Sequence, residues 1–70
     1  MQKIVFLQNL VADAVQELEY MENYEKKIDA AEKDNAGYAE LWKMRTPSRQ
    51  RIRDDLRMIR RVSLEVEKGL

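Results

Sequence analysis

The chain has no cysteine and no histidine, and only two glycines and one proline in 70 residues. Each absence closes a route. Without cysteine no disulfide can staple the fold, and with histidine missing as well the usual zinc and haem ligand sets are excluded. So few helix breakers, among so much Ala, Glu, Leu, Lys and Arg, point to helix almost throughout. Long apolar runs are missing too. Ile4 to Leu7 gives way at once to Gln8 and Asn9, short of the about 7–15 apolar residues of a signal core and the about 20 of a spanning helix. The expectation is a cytoplasmic chain with no membrane partner.

The chemistry of enzymes is equally sparse. Thr46, Ser48 and Ser63 have no histidine or other evident base to activate them. Glu22, Glu25 and Asp29 form an acidic row on a helix but lack the Glu-x-x-His companions of di-iron bundles, so the row reads as a solvated face. Gly37 and Gly69 stand alone and make no phosphate-cradling loop. No catalytic, cofactor-binding or metal-binding residue is expected, and the chain reads as non-enzymatic.

What is present is periodicity. Ile4, Leu7, Val11, Ala14, Leu18, Met21, Glu25 and Ile28 step by threes and fours, the spacing that holds side chains on one face of a helix. This predicts a helix over about residues 2–34, stopped by a turn at Asn35-Ala36-Gly37, where Asn and Gly accept a left-handed backbone. The rhythm resumes with Tyr38, Trp42, Arg45, Arg49, Ile52, Leu56, Ile59, Ser63, Val66 and Leu70. Thr46-Pro47 interrupts it with a break or kink, since proline lacks an amide hydrogen; Thr46 is the expected N-cap. The reading is a short helix at about 38–45 and a longer one at about 47–68.

Folding the chain back at residues 35–37 sets the two stripes opposite each other, with Glu25 facing Arg45 as a structural ion pair that fixes the register. Tyr38 and Trp42 are expected to cap the core beside the turn. The predicted fold is all-α: one domain, an antiparallel helical hairpin with coiled-coil spacing. A 70-residue chain has too small a core to be comfortable alone. Phe6, Leu10, Tyr24, Met44, Met58 and Val62 form further apolar stripes beside the seam, and these are the expected partner or oligomer interface, with a homodimer closing a four-helix bundle.

Charge supplies the competing idea. Thirteen Lys and Arg balance thirteen Asp and Glu, but residues 1–41 carry a net −5 and residues 42–70 a net +5. Arg49, Arg53, Arg57 and Arg60 share one flank of the last helix. That flank suits either a nucleic-acid backbone or an acidic protein surface, including the first helix itself. Overall neutrality argues against the polyanion. The sequence therefore favours a small interaction protein that self-associates or binds a protein partner, with a nucleic-acid-binding adaptor as the alternative.

Overall fold

The absence of Gly and Pro before residue 37 lets one helix run without a break. In the computed structural model, which describes residues 2–69, α1 spans Gln2–Asp34, α2 Tyr38–Lys43 and α3 Arg49–Gly69. Helix is the regular structure throughout the described residues, and no helix among them is long and apolar enough to cross a membrane. Asn35 (φ 52°) and Gly37 (φ 86°) both adopt left-handed backbone. The Ala36 amide reaches back to the Ala31 carbonyl at 3.3 Å, closing the end of α1. The Gly37 carbonyl then accepts the Leu41 amide as α2 begins.

The region around Pro47 differs from expectation in two ways. The short helix stops at Lys43, Met44 is extended (φ −81°, ψ 143°), and residues 45–48 have no regular structure. Pro47 accounts for part of this, since it disfavours helical backbone at Thr46 and its ring would clash with the Lys43 carbonyl four residues back in a continuous helix. The cap is Ser48 rather than Thr46: its Oγ accepts the Arg51 amide at 3.1 Å, so α3 starts two residues later than the expected residue 47.

α3 runs back along α1. Lys3 lies 3.7 Å from Glu65, Arg51 pairs with Asp13, and the Ser48 amide meets Glu17 at 3.1 Å, so the two helices are antiparallel. With 21 residues against 33, α3 covers only the N-terminal half of α1, and α2 packs on the rest, where Ala31 and Leu41 are buried. Asp13 and Tyr20 are half-covered on one flank of α1, and its covered or half-covered central line is Leu7, Leu10, Ala14, Glu17, Met21, Tyr24, Ile28 and Ala31. These again step by threes and fours, but they are not the expected stripe. Leu7, Ala14, Met21 and Ile28 are shared; Ile4, Val11, Leu18 and Glu25 are exposed, their places taken by Leu10, Glu17, Tyr24 and Ala31. α3 behaves the same way. Ser48 at its cap and Ile52, Asp55, Ile59, Val62 and Val66 are buried or half-buried, as is Ser63 of the expected stripe, while Arg49 and Leu56 lie outside.

The result is a thin rod of 55 × 15 × 13 Å with a radius of gyration of 16.7 Å, against about 11 Å for a compact domain of this length. Its accessible surface is 5909 Å², where a compact monomer of this mass would expose about 4,600 Å². Trp42 does not cap a core as expected: it is 85% exposed, because α2 turns Leu41 rather than Trp42 toward α1.

Removing the Ser48 hydroxyl tests the local account. Ser48→Ala should lower the stability seen in urea unfolding by about 1 kcal/mol, and Ser48→Gly by less, since Gly is itself a tolerated cap.

Candidate functional site

The most concentrated chemistry lies where the non-helical segment 45–48 meets the middle of α1. Glu17 is the most deeply buried residue, 1% exposed, and it is charged. A buried carboxylate is costly unless every lone pair finds a donor. Here Arg45 grips it through two parallel bonds, Nη1 to Oε2 at 2.7 Å and Nη2 to Oε1 at 2.6 Å, and the Ser48 amide adds a third at 3.1 Å. The planar guanidinium matches a carboxylate in this two-pronged way. Its other face stacks on the Tyr20 ring at 4.0 Å, and the Tyr20 hydroxyl donates to the Arg45 carbonyl at 2.7 Å. Tyr24 stacks in turn on Tyr20.

The expected partner of Arg45, Glu25, lies about two turns further along α1. The correction has a simple cause. α2 ends at Lys43 and Met44 is extended, and an extended residue advances about 3.3 Å against 1.5 Å in a helix, so Arg45 leaves the helical line on which it would have faced Glu25.

One turn away a second ionic group ties the helices. Arg51 Nε donates to Asp13 Oδ2 at 2.9 Å, and a second bond joins its Nη2 to Asp13 Oδ1. Asp55 stands beside them with Oδ2 buried and without a hydrogen-bond partner. The carboxyls respond in opposite directions. The Arg45 bonds, reinforced by the Ser48 amide, hold Glu17 at a pKa of about 2, and the Arg51 bonds, helped by Asp55, hold Asp13 at about 2. Asp55 is pushed up, first by the neighbouring Asp13 carboxyl, toward which only its protonated form could donate, and then by burial.

These positions give the helix pair two unlike sides. One residue turns about 100° around a helix, so residues just before a packed position fall on one flank and those just after it on the other. In an antiparallel pair the same flank of both helices lies on the same side. The first side carries Asp13, Tyr20 and Arg51, together with Phe6, Met58 and Arg61. With Lys3, Val62 and Glu65 these last three line a groove of about 370 Å³. The second side carries Val11, Val15, Leu18, Glu22, Glu25 and Asp29 from α1 and Arg49, Arg53, Leu56 and Arg60 from α3. We refer to them as the clasped and the open side.

The six residues expected at a partner interface are therefore not equivalent. Phe6 and Met58 are exposed on the clasped groove, Val62 is buried beneath it, and Leu10, Tyr24 and Met44 are half-buried against the chain itself. Val62 and Leu10 sit on the packed lines, which the expected register had placed one flank away. The largest exposed apolar side chains of the seam, Leu18 and Leu56, lie on the open side. Of the arginine flank, Arg49 lines a groove of about 180 Å³ with Glu25, Met21 and Pro47. Among the described residues, Arg53, Arg57 and Arg60 have no ion-pair partner.

No protein-family model matches this chain, and neither a curated protein nor a solved structure resembles it significantly.

Two outcomes follow for the ionic groups. Glu17 and Asp13 titrate lower in the fold than in an unfolded chain, so unfolding takes up protons in acid. The stability they contribute is complete above their ordinary values of 4.5 and 3.8, and it disappears as the pH falls toward about 2. Melting curves should show that loss, and Glu17→Gln should remove most of it. Glu17→Ala and Arg45→Ala should each lower the melting temperature by roughly 10 °C or more, with the double variant well short of additive. Asp55 behaves oppositely, since the fold favours its protonated form. Asp55→Asn, which supplies a donor without a charge, should raise the melting temperature at pH 7 and leave it unchanged below about pH 3.

Proposed function

We propose that the chain is a non-enzymatic interaction module: an antiparallel helical hairpin that self-associates through its open side into a helical bundle. The observation that carries this reading is the apolar row on that side. Ile4, Val11, Val15 and Leu18 (49% exposed) lie along α1 beside Leu56 (56% exposed) on α3. Helices apolar beyond a single packed line generally meet more than one neighbour, and covering the exposed half of each of these side chains is worth about 1 kcal/mol.

The size of the core supports the same conclusion. Two of its five buried apolar residues are alanines, Ala14 and Ala31. The surface exceeds that of a compact monomer by about 1,300 Å², more than the about 800 Å² per partner of a standard interface. The clasped groove at Phe6 and Met58 is smaller in exposed apolar content and is bridged by Lys3 and Glu65, so it ranks second.

Sedimentation equilibrium at micromolar concentration should give a mass of at least twice 8.3 kDa. Leu18→Glu with Leu56→Glu should return a helical monomer, whereas Phe6→Glu should leave the assembly in place. A folded wild-type monomer across that range overturns the proposal.

A further inference from the structure

The charge halves of this chain are not matched within it. α3 packs along the first half of α1, where the ionisable residues are Lys3, Asp13 and Glu17. The acidic part of α1, from Glu19 to Asp34, runs on past the start of α3. Among the described residues, Glu19, Glu25, Asp29 and Glu32 make no ion pair, and Glu22 pairs only with Lys26 on its own helix at 3.3 Å. Arg53 and Arg60 are likewise unpaired. The −5 and +5 halves are therefore matched inside one molecule only through Arg45–Glu17 and Arg51–Asp13, and the charges further along α1 and on the outer flank of α3 stay unmatched.

The unmatched charges lie next to the apolar row of the open side. On α3, Arg53 and Arg60 flank Leu56 at i−3 and i+4; on α1, Glu22 and Glu25 follow Leu18 at i+4 and i+7, so each group forms a continuous patch on its helix. One patch is a leucine between arginines, the other a leucine followed by glutamates. Resting on the self-association proposed above, we infer that a second copy docks with its α3 on this chain's α1, so that Arg53, Leu56 and Arg60 of each chain meet Glu22, Glu25 and Leu18 of the other.

Two-fold symmetry forms this contact twice and closes the assembly. The clasp has a part in this. By holding α3 on the first half of α1, where Asp13 and Glu17 are already taken by Arg51 and Arg45, it keeps Arg53 and Arg60 away from Glu22 and Glu25 of their own chain and leaves both patches open to a partner.

A reciprocal charge swap tests the arrangement. Arg53→Glu/Arg60→Glu and Glu22→Arg/Glu25→Arg should each weaken self-association at least about tenfold, because each then presents like charge to its own copy. Mixed one to one, the two variants should form a heterodimer of wild-type affinity, since acid α3 then meets basic α1 and the reverse pair is native. Wild-type association should also weaken between about 50 mM and 500 mM salt. Circular dichroism of each variant checks the fold. Should a reversal lose helicity, Arg53→Gln/Arg60→Gln serves instead, and it should flatten the salt dependence.

Variants that still self-associate with unchanged affinity, or a mixture that does not recover, overturn this docking mode and leave self-association standing. A wild-type monomer overturns both. The same follows for the docking mode if Arg53 and Arg60 prove instead to bind a polynucleotide, with salt-sensitive affinity lost in the arginine variant while the oligomer is unchanged.

Discussion

Glu17 and the three donors it accepts decide the arrangement of everything else. Two bonds come from Arg45 in the non-helical segment and one from the amide of Ser48, the residue that caps α3. A buried carboxylate tolerates no substitute for those donors, so segment 45–48 is held at one point along α1. Because Ser48 both donates to Glu17 and starts α3, that point also sets the axial register of the second long helix. Buried ion pairs are best attested as devices of this kind, which choose one alignment among several of similar apolar content, more than as sources of net stability.

The register has a rotational consequence as well. Bringing Glu17 inward turns Leu10, Tyr24 and Ala31 inward with it and leaves Val11, Leu18 and Glu25 outside. The residue that caps α3 turns Asp55 and Val62 toward α1 in the same way and leaves Leu56 out. Both rotations go to the same side, so the apolar side chains they expel gather on one face rather than scatter. The molecule is therefore polarised across its thickness: ionic and aromatic bonding on one side, an uncovered apolar row bordered by opposite charges on the other.

That polarity joins the small core to the proposed role. A rod 15 Å by 13 Å in section is little more than one helix deep beside another, and it has no interior to hold bulky side chains. Apolar residues beyond the single seam have no place within the chain. The distribution of charge acts in concert. A chain of zero net charge has little long-range attraction for a polyanion, yet its two unmatched patches give it short-range complementarity toward a copy of itself.

Periodicity and breakers in the sequence were enough to determine an all-α chain: a long first helix, a turn at Asn35–Gly37 and an interruption at Pro47, because these depend on local backbone preference. The face of each helix was not determined in this way. In α1 the two candidate lines share Leu7, Ala14, Met21 and Ile28, and the alternatives differ by one flank. Apolarity alone prefers Ile4, Val11 and Leu18 to Leu10, Glu17 and Tyr24. Glu17 stands at a packed position as a lone acid, a signal visible in the sequence, but Glu25 offered the same signal on the other line, and the choice between them turned on how far the chain travels between α2 and α3. Tertiary structure decided that distance. Where α2 stops and how the residues up to Ser48 leave the helical path decide which carboxylate Arg45 meets, and no periodicity within either helix records how the residues between them are spent.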